Sequence, residues 1–556
     1  MAEGEHLGPR RLARRSGRDL PPAARLTAGT AATRTPGSTL GPAVLDEVPL
    51  RCSVLDLGSN SFHVLVADLD GTSLVPVERQ REMLHLGRVV AQHGHVPEEH
   101  IALAEDTVAH LSKLARRSGS QEHLAVATSA LRDAEDGEAV IVRLSAAAGT
   151  PVRVLSGEDE ARLGYLGVRA GVALREEPVL VLDLGGGSLE LTIGSGAEVT
   201  WSTSLPLGVS RLSALVDQDP ARKRELKALR TRVEEELAPH LDAVAAAGAR
   251  TTVAVGGTVR ALARVVAHEE QVWLPATLNQ LTVGTDEFTR VRDELVALDL
   301  AGRTEVPGMK DRRADHLHIA AVVLVAVFDQ LGVERATISD WGLREGILLD
   351  AHGVTAPPPA DELRGAEIAR LRRAFSTDDA HLDHVAGLAR SVFDGVGAAH
   401  GLRAADRELL DHAARLHDIG ETLALRRHPV HGAYLVANAE LHGFAPAETA
   451  ILTTLVRFHR SRGIARGFPP FASLSDADQD RTRRLLPLLQ LADQLDRTGD
   501  RAIHDAHVAV DDDRVTVTSI GHDAPAAPLE LQQVARLFRS TYGLDLRFAP
   551  AVVDGA

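Results

Sequence analysis

The chain has 556 residues, a formal charge of −16 and only 3% aromatic residues, so it lacks the net basic face and stacking platforms expected of a nucleic-acid binder. At 44% hydrophobic it is long enough for roughly three or four domains of about 100–200 residues, yet its longest apolar run, around Ile319–Phe328, is about half the ~20 residues that span a bilayer. The single cysteine, Cys52, excludes an internal disulfide, fits a small buried hydrophobe and suits a reducing cytoplasm.

Residues 1–47 are rich in Arg, Ala, Gly, Pro and Thr without amphipathic or apolar period, and read as a disordered leader rather than a transit peptide. From Leu50, alternation predicts strands at 52–57, 63–69 and 73–79, joined as a meander through Asp70-Gly71, and short strands at Leu124–Thr128 and Val152–Leu155 between helices. The order then repeats: strands at 178–183, 190–194 and 198–204, a long charged helix over about 220–247, and a strand Thr251–Val255 that runs into Gly256-Gly257. Strands grouped first with helices woven after them predict a mixed α/β sheet in each half, 48–172 and 173–354. Thr355–Ala360, with three prolines, is a stiff linker. Beyond it, 361–505 is helical in pattern. The tail, 506–556, reads as a small α/β unit: a hairpin His507–Ser519 turning at Asp511-Asp512-Asp513, a helix Leu529–Tyr542 and a strand Leu544–Phe548.

The repeat is visible residue by residue, because Val54-Leu55-Asp56-Leu57-Gly58-Ser59-Asn60-Ser61 returns as Val181-Leu182-Asp183-Leu184-Gly185-Gly186-Gly187-Ser188. Each copy is an apolar strand that delivers an aspartate and turns on small residues, which bares backbone N–H groups toward phosphate; Ser59, Ser61 and Ser188 add hydroxyls. Two lobes facing one anionic ligand are expected. There are four lysines and none follows a glycine, so the G-x-x-x-x-G-K phosphate loop is absent, and phosphate must be met by backbone, hydroxyls, arginine and metal. Asp56 and Asp183 end buried strands, where a carboxylate is costly without a donor or a cation, so Mg²⁺ (or Mn²⁺) is the expected partner. By alternation Glu190 shares a face with Ser188 and points into the same cleft.

Asp56–His63, Ser156–Leu163, Asp183–Glu190 and Ser339–Gly346 resemble the exopolyphosphatase/guanosine pentaphosphatase family, over about residues 50–350 and more loosely beyond. The resemblance implies the superfamily of sugar kinases, heat-shock ATPases and actin, with duplicated ribonuclease-H-like lobes. It also implies release of orthophosphate from inorganic polyphosphate, or of the 5′-terminal phosphate of guanosine pentaphosphate, by a cytoplasmic homodimer. Leu189 departs from the family, where a threonine is usual, and removes one hydroxyl from the second turn. Ser156 and Asp159 form a helix N-cap box that puts Glu158, Asp159 and Glu160 in one helical turn. The resemblance selects Glu160 as the base that activates water, and a helix N-terminus would keep it ionised. Arg132 matches a phosphate-contacting arginine, with a surface pair to Glu135 as the plain alternative. Gly256-Gly257-Thr258 matches the segment facing adenosine in the kinase relatives, or is simply a strand-to-helix turn. Asp315 and Arg344-Glu345 fit family positions with a structural role.

In the helical region, His381, His417-Asp418, His428, His459 and Asp493 follow the order seen in HD-type phosphohydrolases, where imidazoles and carboxylates on successive helices converge on divalent metal. His384 is an alternative to His381, and a worn, metal-free relative is the alternative to a working site. The arginines 426, 427, 457, 460, 462, 466, 483 and 484 form a candidate positive track for a long polyanion, or separate solvated helix faces. Two rival functions are a phosphotransferase acting between ATP and an acceptor, and a nucleotide or alarmone sensor whose lobes close without turnover while an HD-type centre carries any activity.

Overall fold

In the computed structural model, β1 (Leu50–Leu57), β2 (Ser61–Asp70) and β3 (Ser73–Met83) form an antiparallel meander, and β4 (Glu122–Ala127) and β5 (Val152–Val154) extend it in parallel, in the order β3-β2-β1-β4-β5. Residues 49–552 are described, apart from 72, 175–176, 357–358 and 522–527; the expected leader and the Pro357-Pro358 centre of the linker lie outside them. The central strand is apolar on both faces because both are covered. Leu55 and Leu57 pack with Phe62, Val64 and Leu111 on one side, and Cys52 and Val54 with Leu163, Leu166 and Trp341 on the other.

The second sheet contains β6 (Val179–Leu184), β7 (Leu189–Ser195), β8 (Glu198–Leu205), β9 (Thr251–Val255), β10 (Thr282–Gly284) and β11 (Arg335–Ile338), in the order β10-β11-β9-β6-β7-β8. Taken from its other edge, β8-β7-β6-β9-β11 repeats β3-β2-β1-β4-β5, with the same antiparallel meander followed by parallel strands. The duplicated phrase in the sequence is thus a duplicated ribonuclease-H-like lobe. β10 and β11 are not predicted from the sequence because three or four residues are too few to display alternation. The single charged helix expected over 220–247 is two helices, Lys223–Leu237 and Leu241–Ala247, separated by a tight turn at Ala238–His240. Pro239 sits in that turn; it lacks an N–H, and its ring crowds the preceding helical carbonyl.

The lobes exchange helices. Gly157–Gly171, which follows β5, packs its Tyr165 and Val168 on β6 and β9, while Leu343–Ala351, which follows β11, packs Ile347, Leu348 and Leu349 against the first sheet. They cross through glycine: a Cβ on Gly167 would lie 2.0 Å from the Gly342 carbonyl oxygen, and one on Gly346 would lie 1.8 Å from that of Leu163.

From Ala360 to Leu495 the chain is helical, and β12 (Ile503–Asp511), β13 (Arg514–Gly521) and β14 (Asp545–Val552) follow, with the helix Pro528–Tyr542 between the last two strands. Leu382, Leu455 and Leu489 share one apolar core with Val515, Val517 and Phe538, so the strands complete the helical core. Asn279 Nδ2 donates to the His442 carbonyl (2.7 Å) and Arg79 pairs with Glu440 (3.2 Å), tying this region to the lobes. Among the described residues no helix is long and apolar enough to cross a membrane.

Candidate active site between the lobes

Strand register builds the site. Across the antiparallel pair β6/β7, Asp183 stands opposite Glu190, and across β7/β8 Glu190 stands opposite Ser204, so these three share one face. The first lobe repeats the row with Asp56 opposite His63 and His63 opposite Arg81. The duplication therefore preserves the aspartate and diverges beyond it, to a carboxylate and a hydroxyl in one lobe and an imidazole and a guanidinium in the other. Between the lobes lies a cavity of about 170 Å³. Asp56, Gly58, Ser59, Asn60, Ser61, Glu160, Asp183, Gly185, Gly186, Gly187, Ser188, Glu190, Gly256 and Gly257 all line it, whereas Arg132 does not.

The two turns touch. A Cβ on Gly187 would meet Ser129 Oγ at 2.1 Å and Ser59 Oγ at 2.4 Å, and one on Gly186 would meet Asn60 Cβ at 2.9 Å. Only glycine allows this approach. Ser59 Oγ is already engaged, 2.8 Å from Ser129 Oγ and accepting from the Ala130 N–H at 3.1 Å; Ser61 Oγ is 2.8 Å from His63 Nε2. The serine hydroxyls of the first turn thus brace the loop, which leaves the backbone as its main bare surface.

The Ser156 cap forms as expected, its Oγ accepting from the Asp159 N–H at 3.0 Å, and directs Glu160 into the cavity. Arg132 pairs with Glu160 (3.2 Å) and Asp133 (3.8 Å) rather than with Glu135, and donates to the Leu155 carbonyl at 2.8 Å. The acids raise one another. Burial, with Asp183 adding to it and Arg344 opposing, pushes Asp56 up to about 6; burial against Arg260 and Arg344 pushes Asp183 up to about 6. Burial and Asp183 push Glu190 up to about 7, and burial and Glu190 push Glu160 well above the usual carboxylate range despite Arg132. The expectation that its helix N-terminus alone keeps Glu160 ionised is therefore corrected: burial among other acids outweighs a terminal dipole. Carboxyls opposed across a strand pair, with the Ser204 hydroxyl donating to Glu190 at 2.8 Å, are an oxygen donor set that fits a hard divalent cation.

The cavity also has a basic lining, and the sequence reading did not find it. Arg81, Arg260, Arg313 and Arg344 line it with His63, Arg344 Nη1 donating to His63 Nδ1 at 2.8 Å. Burial, then Arg81 and Arg260, lower Arg313 to about 10; burial, then Arg344 and Arg81, hold His63 well below its ordinary value, so it is neutral. Arg344, expected to be structural, faces the cavity, while its neighbour Glu345 accepts from the Gly342 N–H (3.0 Å) and Asp315 pairs with His316 (3.0 Å). Extending the third strand past residue 79 would have found Arg81 in register with His63.

In the helical region His381, His417, Asp418 and Asp493 converge, as do Asp418, His428 and His459. His384 is elsewhere, bonded to the Ile503 carbonyl (2.7 Å). Arg460, counted in a surface track, points inward onto Asp418 (2.9 Å) and Asp493 (3.3 Å). Arg457 and Arg483 lie over the Phe458 and Phe471 rings and Arg484 pairs with Asp480 (2.7 Å), so these three members of the expected track have local partners. A larger cavity, about 560 Å³, lies between β3, the helix Ala360–Phe375 and Trp341, and none of the residues of either acid cluster lines it.

The sequence matches the Ppx/GppA phosphatase family over residues 65–353 and domain III of that family over residues 363–524. Among solved structures it is 26% identical to an exopolyphosphatase from Cytophaga hutchinsonii ATCC 33406, a match covering 55% of this chain and 100% of that one with a TM-score of 0.51. It is 27% identical to the Aquifex aeolicus member of the Ppx/GppA family, covering 55% of this chain and 97% of that one with a TM-score of 0.47.

Proposed function

The chain belongs to the Ppx/GppA phosphatase family, and from that premise we propose that it is an exopolyphosphatase, cleaving the terminal phosphoanhydride of inorganic polyphosphate and releasing orthophosphate. One observation carries the reading: a single cavity is lined both by Glu160, Asp183 and Glu190 and by four arginines, Arg81, Arg260, Arg313 and Arg344. At about 170 Å³ it is well below the ~300–1,000 Å³ of pockets that engulf drug-sized ligands, so it suits the end of a substrate whose remainder lies outside. Among the described lining residues none is Phe, Tyr or Trp, which favours a phosphate chain over a guanosine base that would stack.

The backbone N–H groups of the two turns receive the oxygens of the terminal phosphoryl group, and Arg81, Arg313 and Arg344 take the phosphates that follow. Asp183 and Glu190, with Asp56 across the cleft, would hold a Mg²⁺ ion, which when bound supplies charge neutralisation at the phosphoryl group. Glu160, oriented by Arg132, takes a proton from water. The water oxygen forms a bond to phosphorus as the bond to the bridging oxygen breaks, and its electron pair departs with the shortened chain.

The test is phosphate release from long polyphosphate, tripolyphosphate and guanosine pentaphosphate in parallel. Long polyphosphate is expected to give the highest kcat/KM, and EDTA to abolish turnover in a way Mg²⁺ restores. A preference for guanosine pentaphosphate would transfer the assignment to the nucleotide phosphatase, and a phosphorylated acceptor in place of free phosphate would transfer it to a phosphotransferase. The arginines make a separate prediction: Arg81→Gln combined with Arg313→Gln should raise KM for long chains by roughly tenfold or more, since charge-assisted hydrogen bonds contribute about 1.5–3 kcal/mol each.

A further inference from the structure

The second acid cluster is built differently from the first. Each of its four imidazoles has Nδ1 on an acceptor: His417 on the Ala414 carbonyl (2.7 Å), His428 on that of Leu425 (3.0 Å), His459 on that of Val456 (2.8 Å) and His381 on the Asp496 carboxylate (2.8 Å). Three are i−3 carbonyls, from the last turn of a helix for His417 and His459 and from the turn that leads into a helix for His428, so the local backbone sets the ring orientation. The inward atom is Nε2 in every case, the arrangement that fixes tautomer and aim in metal-ligating histidines.

The inward atoms converge on one carboxylate from two sides. His428 and His459 Nε2 lie 3.1 and 3.2 Å from Asp418 Oδ1 and 3.3 Å from each other. His417 Nε2 lies 3.5 Å from both Asp418 Oδ2 and Asp493 Oδ1, and His381 Nε2 is 3.8 Å from Asp418 Oδ2. His417 Nε2, Asp418 Oδ1 and Asp493 Oδ2 are buried without a hydrogen-bond partner, and the side chains of His417, His459 and Asp493 are wholly enclosed. Acceptors facing acceptors at this depth are destabilising unless a cation lies between them. A permanently charged group also reaches the cluster: Arg460, whose Nη2 lies against Asp418 and Asp493 from a partly exposed position just past the helix Pro446–Phe458.

We propose that this cluster is a site for two first-row divalent transition cations, with Asp418 bridging them through its two oxygens, and that Arg460 is a resident counter-cation displaced when metal binds. One cation takes His381, His417 and Asp493, and the other takes His428 and His459. Imidazole-rich donors favour manganese, iron, cobalt or zinc over the all-oxygen preference of magnesium and calcium. The proposal is independent of the reading given to the cleft between the lobes.

Cobalt(II) is the probe, titrated into the full chain carrying Asp183→Asn and Glu190→Gln so that the cleft does not compete. Elemental analysis is expected to give about two cobalt ions per chain, with visible d–d bands reporting nitrogen ligation. Adding Asp418→Asn should remove both ions and the bands. Adding His428→Gln should leave about one, a change in stoichiometry that a merely structural histidine would not produce and that decides the matter if the Asp418 variant fails to fold. Arg460→Gln should keep two ions and tighten binding by about tenfold, the equivalent of ~1.4 kcal/mol. Fewer than one ion per chain, or uptake unchanged by Asp418→Asn and His428→Gln, overturns the site; weaker binding by Arg460→Gln overturns the counter-cation role.

Discussion

Glu160→Gln is expected to bind polyphosphate about as well as the parent and to lose about 10² to 10⁴ of kcat, the usual contribution of a positioned general base. The substitution is chosen for what it preserves. Glutamine keeps an oxygen that accepts from Arg132, now 3.2 Å from the carboxylate, and fills the same volume behind the Ser156 cap. It removes proton acceptance and the ionisable charge while keeping the shape, so the loss should fall on turnover and leave KM largely unchanged. Binding measured at equilibrium and phosphate release measured under saturating substrate separate the two. Near-parent turnover would take Glu160 out of the chemistry and leave it as a partner that orders Arg132, while lost binding with retained kcat would make it part of the substrate cradle.

How far the sequence reaches depends on whether the relevant period is local. The aspartates are legible because an apolar strand followed by small residues is a contiguous phrase, and its repetition makes β1 equivalent to β6. Glu190 followed from alternation over two residues, and the Ser156 cap from a spacing of three. Arg81 was missed for the opposite reason: β3 runs on to Met83 through Glu78, Arg79, Gln80 and Arg81, a polar stretch without the apolar alternation that marks a strand. Arg260 and Arg313 reach the cavity from an α-helix and a short 3₁₀ turn of the second lobe, which no strand pattern brings to the same cavity as His63. In the helical region the order of histidines and aspartates was readable, yet the inward turn of Arg460 was not, because only the packing of three helices distinguishes it from its solvated neighbours. The ionisation of Glu160 is not legible in the sequence, since a helix terminus is local information and the two buried carboxyls beside it, Glu190 and Asp183, are not.

The glycines of the crossing helices give the largest expected effect on stability. Gly346→Ala should lower the stability of the lobes by about 1–3 kcal/mol or more, the range for forcing an extra methyl into a filled interior. The reason is the identity of the obstacle: the new Cβ would meet the Leu163 carbonyl oxygen at 1.8 Å, and main chain inside a helix cannot rotate aside as a side chain can. Gly167→Ala meets the Gly342 carbonyl at 2.0 Å and should behave alike. Because Gly157–Gly171 and Leu343–Ala351 each pack on the other lobe's sheet, separating them also displaces Glu160 relative to Asp183, so phosphate release should fall along with the denaturant midpoint. Gly365→Ala supplies the contrast. That glycine lies mid-helix in Ala360–Phe375 with nothing within 4 Å of a built Cβ, so alanine should stabilise by about 0.5–1 kcal/mol through reduced unfolded-state freedom. The same substitution then carries opposite signs at two helical sites, decided by space alone. Equal and small effects at Gly346 and Gly365 would mean that the crossing helices are farther apart in solution than a carbonyl contact permits, and with them the two walls of the cleft.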